Sequence, residues 1–452
     1  MGENKRHIQL KKVLFGVVIG LLFLPLLQQQ LGLFPAAGLG GSFEEAQAPK
    51  ITLESWMAGS FQKEFQDYTD EQIGFRDFMV RLYNQYHYSF FRQAKANGVV
   101  TGEEGYLFEE SYIRSHLGLD PIPAGMGTER VGKLKSIRDT LLKRDVELLV
   151  AIAPGKASFH EEFIPDRYFE ETGLSRGKAG VQWTNNYTLL RDELQRQGIP
   201  LLDLREYFLG IKDAAPYPLY PKNGTHWSKY GVYLAADTLV RYIGNLLDRP
   251  VHEITLRGVD ISREMKGSDD DIERGMNLLF DLPDLEMAYP DFELRFDSVS
   301  QPIHLLSTGD SYYWGLFPFL FEDKLFWYYS REVHPNPNEP DPPPLVSELD
   351  VRDGIEENDV VMLIVTEGNM NDFGFGFIDR VYDAYFGENK VYQDWKMEQY
   401  ARSILREDEW SQSVLEKART EGIPFHEAVR NNAEYLVWQD EENRRQRIRN
   451  TP

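Results

Sequence analysis

The chain has 452 residues, 42% hydrophobic and 13% aromatic, which is ample for a packed core and excludes a globally disordered protein. A formal charge of -23 excludes functions built on nucleic-acid backbones, since these need clustered Lys and Arg to displace counterions; it also disfavours anionic polymers and favours a neutral glycan or a protein as partner. With no cysteine, there is no disulfide framework, thiolate metal site or cysteine nucleophile.

Lys5, Arg6, Lys11 and Lys12 precede an uncharged apolar run over 13–27, the layout of an export signal or signal anchor that leaves the rest of the chain across the membrane. At ~1.5 Å per residue this run spans only ~22 Å, so a full crossing must recruit 28–34. The small-x-small sequence Ala46-Gln47-Ala48 lies far downstream of the run, so a retained, single-pass anchor is expected over 1–34, followed by a linker over 35–55. From 56 to 98, Phe65, Tyr68, Phe75, Phe78, Tyr83 and Tyr86 predict one or two helices packed on the main domain.

The main domain is expected over 99–385. It opens with a hairpin over 99–108, turned at Gly102 and Gly105. Helical spacing over 131–144 leads to a buried strand over 147–153 that ends at Pro154-Gly155, and the pattern recurs as a helix over 183–197 and a strand over 199–204. Further strands are expected over 302–306, 324–329 and 359–365. The fold class is therefore α/β, a largely parallel sheet flanked by helices. Two surface excursions interrupt it, an acidic one over 251–294 and a Pro-rich one over 333–344. Asp269, Asp270, Asp271 and Glu273 lack the spacing of a calcium loop and read as a solvated acidic loop. The tail over 386–452 is charged and helical in period, and should form a peripheral extension.

The sharpest chemical signal is Gly309-Asp310-Ser311 directly after an apolar strand. A strand end can project a nucleophile at the carboxyl edge of a parallel sheet, Gly309 allows a tight turn, and the amide of Ser311 can face an oxyanion. The same tripeptide is also ordinary turn chemistry. A serine needs a base, and of nine histidines His226 stands out, in Asn223-Gly224-Thr225-His226-Trp227 between turn residues and a helix start. It either serves as that base or hydrogen-bonds within a helix-capping loop.

At these two segments the chain resembles the alginate O-acetyltransferases of the AlgJ/AlgX type. Their catalytic domain is SGNH-hydrolase-like, a three-layer α/β/α unit in circularly rearranged order. In that family an Asp-x-His-Trp motif precedes Gly-Asp-Ser; here His226-Trp227 precedes Gly309-Asp310-Ser311. Supporting similarity runs through 56–76, 99–108, Pro154-Gly155-Lys156 and 359–367 with Asn369, and overall covers about 56–385.

The resemblance implies an extracytoplasmic O-acetyltransferase acting on a cell-surface polysaccharide or exopolysaccharide. Acyl groups would come from a membrane-bound O-acyltransferase, with no metal or organic cofactor. Ser311, His226 and Asp310 are the expected catalytic residues, with Gly309, Asn369, Trp227 and Lys156 as the oxyanion and substrate-binding set. Lys156 can instead cap a loop, and Asn369 can belong to a turn. An acetylesterase of the same fold and a non-catalytic glycan-binding scaffold are the alternatives.

One departure bears on all of this. Gly224 stands where the family has aspartate. Either another acid serves, or the site is a Ser-His dyad, or activity is lost. Asp310 and Asp203 are the candidate acids, each with a structural reading as a turn or strand-end carboxylate. Asn223 can orient but cannot compensate charge.

Overall fold

The computed structural model describes residues 2–32, 38–41, 48–173, 184–296, 303–320, 323–327, 332–334, 351–386 and 390–450. Its first element, α1 (Gly2–Leu31), carries an apolar window, Gln9–Gln29, of mean hydropathy 2.2. Because the helix continues through Gln28 and Gln29, this window is ~31 Å long and matches a ~30 Å hydrocarbon core. One such helix near the N-terminus fits a signal sequence as well as an anchor.

Three helices then stand where one or two were expected: α2 (Leu53–Ala58), α3 (Ser60–Gln72) and α4 (Arg76–Phe91). Of the aromatic residues on α4, Tyr88 packs inward while those expected to do so do not. On α4 the buried positions are Asn84 and Tyr88, while Phe78, Tyr83 and Tyr86 stay exposed. The helix is held by polar bonds to the chain that follows residue 275: Asn84 Nδ2 donates to Met276 O (2.8 Å) and Arg81 Nη1 to Leu278 O (3.2 Å). Gln85 Oε1 accepts from the amides of Leu279 and Phe280 (3.1 Å each).

The hairpin β1 (Val99–Thr101) and β2 (Leu107–Glu109) leads to α5 (Glu110–His116) and α6 (Met126–Leu141). Then come β3 (Glu147–Ala153), α7 (Lys156–Phe159), α8 (Asp166–Thr172), α9 (Asn186–Arg196), β4 (Leu201–Asp203), α10 (Leu204–Ile211) and α11 (Lys229–Leu247). The excursion is an antiparallel pair, β5 (Glu253–Ser262) and β6 (Met287–Arg295), with the short helix α12 (Asp271–Met276) between its strands. The sheet continues with β7 (Leu305–Gly309), β8 (Asp323–Trp327), β9 (Glu332–His334) and β10 (Val360–Thr366). Near β7 and β10 lie α13 (Tyr313–Leu316), α14 (Val351–Glu356) and α15 (Phe377–Phe386). The tail forms α16 (Lys390–Arg406), α17 (Asp408–Glu421) and α18 (Phe425–Asn450), packed on one another around Ile404, Val414 and Ala428. The Pro-rich stretch over 335–344, the start of the strand expected from 302 and Trp183 lie outside the described residues.

The six-stranded sheet runs β4-β3-β10-β7-β8-β9, parallel except for β9. Period-two alternation makes it the middle of three layers. Leu149, Ala151, Met362, Ile364 and Leu305 face the layer containing α5, α7, α10 and α11. Leu148, Val150, Val361, Leu363 and Leu306 face α6, α9, α14 and α15. Gly309 is fixed by this packing: a Cβ there would lie 2.2 Å from Ile364 Cγ2 and 2.7 Å from its carbonyl oxygen. The carboxyl ends of β3, β7 and β10 therefore open side by side, at Pro154, Asp310 and Thr366.

Candidate active site

Gly309 ends β7, and the chain turns at Asp310 to expose Ser311. The turn is held from inside by Asp310. Its Oδ2 accepts from Thr366 N (2.8 Å), Thr366 Oγ1 (2.9 Å) and Asn369 Nδ2 (2.9 Å), and its Oδ1 from Tyr312 N (3.2 Å). Asp310 thus pins the nucleophile turn to the end of β10, and none of these four bonds reaches the histidine. Asn369 spends its two amide hydrogens on Asp310 and Thr366 Oγ1 (3.2 Å).

His226 comes from the loop between α10 and α11. Ser228 caps α11 by accepting from Gly231 N (3.0 Å), and also donates to Pro218 O (2.7 Å), closing the loop just beyond the histidine. Trp227 is 2% exposed and packs between Phe208 and Tyr312, with ring centroids 5.9 and 5.2 Å away; it is a core residue, not the substrate contact expected. Tyr312 OH donates to Thr225 O (2.8 Å), joining the serine turn to the histidine loop.

The other side of the loop rests on Lys156, which is 1% exposed and donates from Nζ to Lys222 O (2.7 Å) and Gly224 O (2.6 Å). Burial pulls its pKa down to about 7, against the pull of Asp271, Asp284 and Glu109. With both carbonyls engaged, Lys156 clamps the loop from below, and its expected place among the oxyanion and substrate-binding residues gives way to that role.

These supports bring His226 Nε2 to 2.8 Å from Ser311 Oγ, although 85 positions separate the two. The opposite ring nitrogen, Nδ1, lies 2.6 Å from Asp271 Oδ2, and Asp271 Oδ1 accepts from Thr225 N (2.8 Å). An ionised carboxylate only accepts, so Nδ1 carries the hydrogen and Nε2 is left to accept from the serine hydroxyl. Asp271, His226 and Ser311 form an unbroken acid-base-hydroxyl chain.

Asp271 belongs to the acidic triplet that the sequence reads as a solvated loop, and the structure corrects that reading. Asp269 is 1% exposed, and Ile272 and Met276 pack against Leu107 and Tyr88. Ile272 and Met276, four positions apart, are the signal that a helix with an inner face begins at the triplet. Among the described residues no group of three or more His, Asp or Glu can hold a metal ion.

The two acids considered from sequence are elsewhere. Asp310 is committed to the serine turn, and Asp203 caps α10, accepting from Glu206 N (3.1 Å) and Tyr187 OH (2.8 Å). Gly224 explains why the acid comes from another segment. A Cβ at that position would meet Ser268 O at 2.4 Å and Asp269 O at 2.7 Å, so the turn leading into α12 occupies the space a side chain would need. Asn223 ties the same two segments together, Nδ2 donating to Glu273 Oε2 (2.9 Å) and its carbonyl accepting from Glu273 N (3.2 Å).

Comparison with known proteins bears on this site. A family model described as the SGNH hydrolase-like domain of acetyltransferase AlgX matches residues 99–267, ending just before Asp271 and short of Ser311. Two curated relatives, each named "Probable alginate O-acetylase AlgJ", are similar at 25% identity. That from Pseudomonas aeruginosa aligns over 212 residues, 46% of this chain and 49% of its own; that from Azotobacter vinelandii over 215 residues, 47% and 49%. The chain thus spans about half the length of these relatives.

Among solved structures, the O-acetyltransferase domain of Pseudomonas putida AlgJ is 16% identical with a TM-score of 0.39, covering 64% of this chain and 99% of that one. Pseudomonas aeruginosa AlgX is 13% identical with a TM-score of 0.40, covering 62% and 67%. Residues 99–267 of the α/β domain are thus similar to the SGNH hydrolase-like model, the histidine segment lies ahead of the serine segment, and the chain resembles the AlgJ/AlgX type.

Proposed function

We propose that the protein is an O-acetyltransferase that moves an acyl group, through a covalent enzyme on Ser311, to a hydroxyl of an exopolysaccharide or cell-surface polysaccharide. The reading is carried by one observation, the continuous Asp271–His226–Ser311 chain at the carboxyl edge of the sheet. Its relatives' names and the SGNH-like domain support acetyl transfer in particular.

His226 Nε2 takes the proton of Ser311 Oγ as the oxygen attacks the carbonyl carbon of the acyl donor. Asp271 holds the tautomer and stabilises the imidazolium that forms. The tetrahedral oxyanion is met by the backbone amide of Ser311. Asn369 can join only by releasing Thr366 Oγ1, its longer bond. Collapse expels the leaving group, which receives the proton from His226, and leaves an ester on Ser311. A sugar hydroxyl then attacks that ester while His226 takes its proton. The new sugar ester departs, and the proton returns to Ser311 Oγ.

In this reading α1 is a retained anchor, the domain lies outside the cytoplasm, and a membrane-bound O-acyltransferase hands over the acyl group. The basic residues ahead of the apolar window support that orientation. The test is product analysis with an activated acetyl ester and two acceptors, a mannuronate oligosaccharide and a neutral glucan oligosaccharide. Acetylated sugar that disappears with Ser311→Ala is the expected result. Free acetate alone would make the protein an esterase, and an unchanged donor with retained glycan binding would make it a scaffold.

A further inference from the structure

Helix α4 is amphipathic the wrong way round for a surface helix. At ~100° per residue, Met79, Leu82, Tyr83, Tyr86 and Phe90 fall on one stripe about 100° wide, and all of them are exposed. The opposite stripe holds Arg81, Asn84, Gln85 and Tyr88, which face the protein: the first three make the polar bonds described above, and Tyr88 packs with Ile272 and Met276. A water-facing helix would present the charged and amide side chains outward and bury the apolar ones. Burial of the polar stripe means that the apolar stripe is the face offered to something else.

The start of α4 says what that is. Phe75 N donates to Gln28 Oε1 (3.1 Å), and a Cβ at Gly74 would touch the backbone carbonyl of Pro25, so the helix begins against the last turns of the apolar window in α1. If that window crosses a bilayer, its end lies at the headgroup level and α4 starts there. Aromatic side chains with one polar end, such as Tyr83 and Tyr86, settle at this depth. On the neighbouring α3, Glu64, Asp67, Asp70 and Glu71 would repel anionic headgroups, which selects a zwitterionic surface.

We propose that the exposed stripe of α4 lies on the lipid surface, its side chains seated in the zwitterionic interface beside α1. This rests on α1 being a retained anchor. It goes beyond acyl transfer, because it assigns a second membrane contact that fixes the domain's orientation to the bilayer as well as tethering it.

The chain has no cysteine, so single spin labels can be placed at will. The full chain carrying Val17→Cys, Met79→Cys, Tyr86→Cys or Ala214→Cys, the last an exposed loop position, is reconstituted in phosphatidylcholine nanodiscs. Collision rates with oxygen and with a water-soluble nickel chelate are then compared. The expected result is oxygen-rich, nickel-poor collisions at Val17, Met79 and Tyr86, and the reverse at Ala214. A lipid pattern at Val17 with nickel-rich collisions at Met79 and Tyr86 overturns the proposal and leaves the anchor intact. Shielding of Met79 and Tyr86 from both reagents overturns it in favour of a second copy or another protein. A water pattern at Val17 removes the anchor reading, and the proposal with it.

Discussion

Asp271 Oδ2 sits 2.6 Å from the imidazole and is the residue on which the catalytic reading turns. Asp271→Asn keeps the size of the side chain but can donate to Nδ1, favouring the wrong tautomer. Acyl transfer should fall by about 10³- to 10⁴-fold, measured as kcat, with the fold unchanged by circular dichroism. A loss below about tenfold would return the site to a Ser-His dyad. Restoring the family residue is expected to do harm. Gly224→Asp drives a side chain into the carbonyls of Ser268 and Asp269, so it should lower both the melting temperature and activity, where a site lacking an acid would gain turnover. Ser311 and His226 were legible in the sequence because each sits in a local grammar of strand end or turn. Asp271 was not, because the acid is 45 positions from its histidine and only the folded excursion brings them together. Trp227 and Lys156 were legible as members of a motif, while their roles depend on burial that no local pattern records.

Helix α12 and the segments that hold it set where Asp271 stands. Burial pushes Glu273 up to about 7 and Asp269 to about 6. Both are raised above the ordinary carboxyl range, so the folded state binds more protons than the unfolded one between about pH 4 and 7. Their contribution to stability is complete below about pH 4 and is lost as pH rises through about 7. Melting temperature should therefore fall between about pH 5 and 8, and Glu273→Gln should flatten that fall. An equally steep profile in the variant would place the titration elsewhere.

Asn84 holds the far end of the same helix. Asn84→Ala leaves the Met276 carbonyl short of a partner and should cost about 1–3 kcal/mol by denaturant unfolding, with faster amide exchange over 272–277. The strands were legible because runs such as 148–153 and 360–365 are continuously apolar, as a sheet covered on both faces requires. The helices before the domain were legible as helices, but not which face of α4 meets the domain, because apolar periodicity locates a stripe without saying whether protein or another medium receives it.

Across the whole molecule, a parallel sheet places three strand ends together, and an excursion inserted between the histidine and serine segments delivers the acid. The layered α/β class followed from alternating helix and strand patterns, and the long-range meeting of 226, 271 and 311 followed from topology that the linear order does not display. An N-terminal anchor with its basic residues inside predicts that a reporter active only in the cytoplasm, fused after Pro452, gives no signal; a bright fusion would place the domain on the wrong side for its proposed work.

Whether Ser311 becomes acylated through His226 and Asp271 is decided by mass spectrometry of the full chain after brief exposure to an activated acetyl ester. One acetyl group is expected on the peptide containing Ser311, none with Ser311→Ala, and much slower labelling with Asp271→Asn. A folded wild-type protein that takes up no acetyl group, or equal labelling of the wild type and both variants, would rule out acylation of Ser311 by this route.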